Sequence, residues 1–169
     1  ETSFLLPKKT HGPNCLQPHI TAGEALKNVH KIKENSERQK IMKKTETMLS
    51  MIPPGGNFES IPKNSPYYVK GLISHVYRRL HKDKPAYTII ASGGGGTWSY
   101  HFSEPRPLTN RERARLQTFP DNFIFEGSKE SVRKQIGMAV PVLGAKLIFE
   151  AVLKTLTKLK YSSIEANFK

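Results

Sequence analysis

Acidic residues are scarce in this 169-residue chain: 14 Asp and Glu stand against 27 Lys and Arg, for a formal net charge of +13. A surplus of that size concerns partners rather than fold. Polyanions are attracted, nucleic acid first and anionic membrane second, and the bland alternative is a solvated basic surface. Cysteine is scarcer still. The single Cys15 excludes an internal disulfide and a cysteine-based zinc site, and it fits a reducing, cytoplasmic setting. Zinc needs several convergent ligands, and the six scattered histidines (11, 19, 30, 75, 81, 101) point to no metal site. An unbroken apolar run near 18 residues and a charged-then-apolar start are both missing, so neither a membrane span nor secretion is expected. The glycine run SGGGGTW (92–98) is no P-loop, because no Gly-Lys-Ser/Thr follows it, and it lacks the GxGxxG spacing of a dinucleotide site. The first residue is Glu1, and ETSFLLPKKTHGP reads as the tail of something longer.

What is present begins with capping signals. Thr21-Ala-Gly-Glu24, Ser36-Glu-Arg-Gln39 and Thr109-Asn-Arg-Glu112 each place a hydroxyl three residues before a Glu or Gln, which predicts three helix starts. The stretch 52–66, with four prolines and a Gly pair, cannot be regular structure. PYYVKGLISHVYRRL (66–80) reads equally as strand or helix, while AYTIIASGGGGTW (86–98) starts as a strand. Pro141 suits a first helical turn, and Leu143, Leu147, Ile148, Ala151, Val152, Leu156 and Leu159 give the last helix a broad apolar face. YSSIEANFK (161–169) is expected to fray. The rest of the chain offers little continuous sheet to cover that face, so its partner surface is expected outside these residues.

EPRPLTNRERARLQTFPDNF (104–123) carries four arginines and closes on Phe-Pro-Asp. At 100° per residue Arg111 and Arg115 share a helix face, and Arg113 points away. Guanidinium forks suit phosphate oxygens or carboxylates, and the intramolecular alternative is a bridge from Glu112 to Arg115 or from Arg111 to Asp121.

The same stretch resembles motif IX of the DNA (cytosine-5) methyltransferases, R-x-L-T-x-R-E-x-A-R-L-Q-x-F-P-D-x-F, at Arg106, Leu108, Thr109, Arg111, Glu112, Ala114, Arg115, Leu116, Gln117, Phe119, Pro120, Asp121 and Phe123. KQIGMAVPVLGAKLI (134–148) is similar to motif X, Q-x-G-N-A-V-P, with Met138 in place of the asparagine. RRLHKDKPAYTIIASGGGGT and IPPGGNF resemble the family's target-recognition segment, and PKKTHGP…HITAGEAL resembles the stretch after motif VIII. The resemblance implies an α+β fold. A small irregular recognition domain of short strands and loops is joined to C-terminal helices that belong to a Rossmann-like α/β methyltransferase domain. Residues 1–30 would be the linker from the catalytic domain, 31–105 the target-recognition domain, 106–135 the hinge, and 136–169 motif X with the returning helix.

The resemblance also assigns roles. Thr109, Arg111, Glu112, Arg115 and Gln117 are expected as hinge scaffold, with Arg106, Arg113 and Arg79 as DNA contacts. Glycines let a backbone approach base edges, so Gly93, Gly94, Gly95, Gly96, Thr88, Thr97, Trp98 and His101 are candidate readers. Met138, Ala139 and Val140 are expected beside S-adenosylmethionine, and the departure at Met138 bears on that contact. The family's chemistry adds a cysteine thiolate to C6 of a flipped cytosine so that C5 can take a methyl group. The Pro-Cys-Gln nucleophile loop, the Glu-Asn-Val segment, the Gln-x-Arg-x-Arg strand and the Gly-rich cofactor loop of that chemistry do not occur among these residues. No catalytic residue is assigned; Cys15 lies in PNCLQ, without the motif. The expected reading is a DNA-recognition portion whose partners are double-stranded DNA and a catalytic domain or subunit carrying Pro-Cys-Gln. The rivals are a stand-alone basic duplex-binding module and, more remotely, an RNA binder that stacks bases on Tyr67, Tyr68 and Trp98.

Overall fold

The computed structural model describes residues 3–70, 73–91 and 96–164. In chain order its helices are α1 (Ala22–Ala25), α2 (Lys43–Ser50), α3 (Asn110–Leu116), α4 (Lys129–Met138) and α5 (Val142–Leu156), with 3₁₀ turns at Val29–Lys31 and Phe58–Ser60. Two of the three predicted capping boxes form. The Glu24 amide donates to the Thr21 hydroxyl at 3.2 Å while the Glu24 carboxylate takes the Thr21 amide at 2.8 Å. Thr109 and Glu112 repeat the exchange at 3.2 and 2.8 Å. The third box fails because the Ser36 hydroxyl donates backwards, to the Ile32 carbonyl at 2.7 Å. The helix predicted at Ser36 therefore starts only at Lys43, behind Met42, which supplies no side-chain cap. α4 was not legible in the sequence, although Ser128 caps it by accepting from the Ser131 amide at 3.2 Å.

The expected strand at 86–91 does not form. Among the described residues strand pairing is confined to isolated bridges, such as Arg79 with Tyr100 and Tyr100 with Pro107. Tyr87 and Ile89 instead pack into two different core clusters, which ties the segment down by side chains rather than by a ladder. The described part of 66–80 is neither strand nor helix but a series of turns.

The chain divides into two compact units, Ile20–Ala139 and Glu1–His19 with Val140–Lys169. The first has three apolar clusters. Ala22, Leu26, Val29, Leu80 and Leu108 form one; Met48, Leu49, Ile52, Ile61 and Tyr100 form the second; Ile89, Ala114, Phe125, Val132 and Ile136 form the third. Leu116 at the end of α3 packs on both the first and the third cluster, so the short motif IX helix is the element that joins them.

The other unit is built on α5. The Lys8 amide donates to the Ser162 carbonyl and the Ile164 amide to the Leu6 carbonyl, both at 2.9 Å. Tyr161 Oη donates to the Leu5 carbonyl at 2.7 Å. The described residues of the expected frayed tail are thus paired with the start of the chain. Ala151 is buried, whereas Phe149, Leu153 and Leu156, at helical spacing on one face, are 71%, 60% and 75% exposed. No unbroken apolar run near 18 residues occurs, because Lys146, Glu150 and Lys154 interrupt the last helix. The segment Lys129–Leu156 is long and apolar enough, by length and composition, to cross a membrane. Here the helical structure breaks between Met138 and Val142, leaving α5 with 15 residues. At about 1.5 Å per residue that is some 22 Å, short of a bilayer core of about 30 Å.

Candidate nucleic-acid interface

The arginines of the motif IX stretch are nearly all committed inward. Glu112 on α3 accepts from both Nη atoms of Arg106 at 2.8 Å each, and Arg106 Nη2 also reaches Glu104 at 2.9 Å. These carboxylates hold the guanidinium well above the usual arginine range. Arg111, fully buried, donates to the carbonyls of Glu34 at 3.1 Å, Phe123 at 2.8 Å and Pro120 at 3.4 Å. Arg115 forks onto Asp121 with two bonds of 2.7 Å and donates to the Lys27 carbonyl at 2.6 Å. Arg111 and Arg115 thus share the face that sequence geometry gave them, and between them they hold the 120–123 turn. Glu112 and Asp121 pair with Arg106 and Arg115 respectively, not in the alternative bridges drawn from spacing.

Asn35, which sequence reasoning passed over, completes this scaffold. It has φ +59°, its side-chain amide donates to the Phe125 carbonyl at 3.0 Å, and its oxygen accepts the Phe125 amide at 3.0 Å. Asn tolerates the left-handed conformation better than other side chains, which is the only sequence hint.

Five expected DNA contacts are buried or, in the case of Arg106, already paired. Arg79 is 6% exposed and donates to four main-chain carbonyls: Ile52 at 2.6 Å, Phe102 at 2.7 Å, His101 at 3.0 Å and Leu49 at 3.3 Å. With four of its five N–H groups used in this way, the guanidinium has no fork left for phosphate. Arg106 is occupied as described. Arg113 is 2% exposed, and burial lowers its guanidinium to about 10. Gly96 is buried with φ +97°, its carbonyl accepts the Tyr77 amide at 2.7 Å, and a Cβ there would press on the Tyr77 ring. Its conformation serves the fold rather than a base edge.

His101, the fifth, is 7% exposed. Its Nδ1 accepts the Ser103 amide at 3.2 Å and the Glu104 amide at 3.3 Å, so the neutral ring carries its proton on Nε2. Burial lowers its affinity for a proton, although Glu112 nearby opposes the shift. The unfolded chain therefore binds this proton more readily than the folded one, and folding stability is lost as pH falls below the ordinary histidine value of about 6.5. The expected result is a melting temperature that declines from pH 7 to pH 5.5 in the wild type. The decline should flatten in His101→Asn; equal slopes for both proteins would refute the assignment.

Three expected readers do converge. Thr88, Thr97 and Trp98 line one cavity of about 500 Å³ together with His75, Arg78 and Tyr87. The Arg78 guanidinium carbon sits 3.3 Å from the Tyr87 ring centroid. Arg78 and Arg79 are neighbours with opposite fates, the first partly exposed at the cleft and the second sealed beneath it. The Trp98 indole nitrogen is buried and has no hydrogen-bond partner. Gly93, Gly94 and Gly95 lie outside the described residues.

The motif X turn is held from below. Gln117 Nε2 donates to the Ile136 and Ala139 carbonyls, 3.1 Å each. Gly137 admits no side chain, since a Cβ would fall on the Ala91 backbone. On that turn Met138 and Val140 are 69% and 68% exposed, with Ala139 half-buried between them.

Residues 4–154 match the C-5 cytosine-specific DNA methylase family. The type II methyltransferase M.NgoFVII of Neisseria gonorrhoeae is 56% identical over 153 residues, covering 89% of this chain and 41% of that protein. The type II methyltransferase M.BbvI of Brevibacillus brevis is 52% identical over 171 residues, covering 99% and 45%. A crystal structure described as a DNA modification methyltransferase encoded within an E. coli prophage superposes on 93% of this chain and 40% of its own, with TM-score 0.51 and 22% identity, a likeness of fold. The chain spans less than half the length of these relatives. Motif helix, glycine turn and overall similarity agree, and the chain belongs to the C-5 cytosine-specific DNA methylase family.

Proposed function

We propose that this chain is the DNA-recognition portion of a DNA (cytosine-5) methyltransferase, joined in the working enzyme to a catalytic part that carries the Pro-Cys-Gln loop. The observation that carries the reading is the cleft of His75, Arg78, Tyr87, Thr88, Thr97 and Trp98 in a unit braced by the motif IX helix. A half-exposed cation on an aromatic ring, two hydroxyls and an indole face suit a duplex groove better than an apolar ligand. Thr109, Arg111, Glu112, Arg115 and Gln117 act as the hinge scaffold, since their bonds tie 25–35, 120–125 and 136–139 to α3.

The family's methyl donor is S-adenosylmethionine. Met138, Ala139 and Val140 suit one edge of its site, a turn kept rigid by Gln117 with apolar side chains turned outward. The donor's remaining contacts come from the catalytic part. The exposed Phe149, Leu153 and Leu156 on α5 are the docking face for that part.

The +13 balance makes duplex binding strongly salt-dependent. With roughly four to six phosphates neutralised, log affinity falls against log salt with a slope of about −4 to −5. Fluorescence anisotropy of a labelled duplex between low and moderate salt measures it. Binding indifferent to salt, or none at low salt, would remove this reading.

A further inference from the structure

We propose that a small pocket between α3, α4 and Trp98 seats one non-bridging oxygen of a DNA backbone phosphate, an assignment that rests on the DNA-recognition reading above. The pocket holds about 20 Å³ and is lined by Trp98, Arg113, Lys129, Arg133, Gln39 and Glu37, among others. That volume admits one water-sized atom and no more.

Its lining carries donors in excess of acceptors. Trp98 Nε1 and Arg133 Nε are both buried and both lack a hydrogen-bond partner. Both residues line the pocket, and a buried N–H left unpaired is costly, so an acceptor is called for nearby. Charge points the same way. Arg113 is 2% exposed, Arg133 stands close enough to repel it, and among the described residues no salt bridge reaches Arg113. Arg133 does bond Glu130 at 2.9 Å, but that carboxylate is 83% exposed and screened by water. Of the lining residues named, Glu37 is the one acid, and it is exposed at the rim. Three cations therefore line a space for a single oxygen.

Position selects among anions. Trp98 lines both this pocket and the 500 Å³ cleft, so an oxygen held here belongs to a backbone lying along the cleft. A phosphate in this seat would explain why Arg113 is retained inside α3 without a carboxylate. It would also fix the register of the duplex against the readers, the usual role of phosphate contacts.

Trp98 is the only tryptophan, so a ¹⁵N-labelled chain gives one indole N–H signal from the pocket itself. Duplex DNA, inorganic phosphate and acetate are titrated separately, with duplex binding followed in parallel by anisotropy. The duplex is then rebuilt with a neutral methylphosphonate at each backbone position in turn, against wild type, Arg133→Gln and Trp98→Phe. Melting temperatures screen the variants for folding, and Trp98→Phe removes the donor while keeping the packing.

The expected result is an indole shift that saturates with DNA binding. One methylphosphonate position should weaken wild-type binding about tenfold while leaving the already weakened Arg133→Gln unchanged. Duplex binding with an unmoved indole, or with no position coupled to Arg133, overturns the pocket and leaves the DNA reading standing. No duplex binding at low salt overturns both. A shift with inorganic phosphate but not DNA assigns the pocket to a free anion, and one with acetate but not DNA to a protein carboxylate; either outcome overturns the proposal.

Discussion

Arg79→Ala is expected to cost about 3–5 kcal/mol of folding stability, the largest loss from any single side-chain truncation in the Ile20–Ala139 unit. Four main-chain carbonyls, from Leu49, Ile52, His101 and Phe102, end on this one guanidinium. They belong to the end of α2 and to the segment leading into motif IX, which have no sheet to pair with. Truncation strands the Ile52 and His101 carbonyls in the interior, although the Leu49 carbonyl keeps the Ile52 amide at 3.1 Å, and it opens a cavity beside Leu49 and Ile52, which are themselves fully buried. Arg79→Lys should recover only part of the loss, because one ammonium cannot span the fork. Arg78→Ala is the contrast. It should leave the melting temperature nearly unchanged while lowering duplex affinity about tenfold, through loss of the cleft cation. Thermal unfolding and anisotropy on both variants decide the matter. A stable Arg79→Ala that has lost DNA binding would reverse the two roles.

That pair also marks where sequence reading stops. Capping boxes at Thr21 and Thr109 were legible because their partners lie three residues away and the geometry is local. The shared face of Arg111 and Arg115 was legible for the same reason. The failed box at Ser36 was not, because the hydroxyl had a competing acceptor at Ile32, four residues behind it. Nor could helical phase say whether Arg113, pointing away from its neighbours, faced solvent or a pocket. The answer came from Trp98 and Arg133, distant in sequence, which close over it. A +13 chain invites every arginine to be read as a DNA contact. Most of those in motif IX substitute for sheet hydrogen bonds in a unit whose loops must be pinned one carbonyl at a time. The strand expected at 86–91 failed on related grounds, since its β-branched and aromatic residues serve core packing in a segment with no neighbouring strand.

Methyl transfer is expected to be undetectable from this chain alone and to appear when it is mixed with a catalytic fragment carrying Pro-Cys-Gln. None of the family's nucleophile or donor loops occurs in these residues, so the thiolate that must add to the flipped cytosine has to come from elsewhere. Assembly has a physical basis in α5. Phe149, Leu153 and Leu156 project from one face, each more than half exposed. Covering each contributes about 1.5–3 kcal/mol, and the sum can exceed the entropic cost of bringing two fragments together. Phe149→Asp with Leu153→Asp should therefore abolish transfer by the mixture, since burying two carboxylates at the seam is strongly unfavourable. Anisotropy should find duplex binding by the same variant unchanged, because the cleft lies wholly within Ile20–Ala139. A tritiated-methyl assay on duplex DNA, with each fragment alone and both together, reads the result. Cys15→Ser serves as a control against an unforeseen nucleophile in this chain and should leave the mixture active. Transfer by this chain alone that vanishes in Cys15→Ser would place the chemistry here and end the two-part reading. A mixture that stays active with both aspartates present would instead move the docking face away from α5.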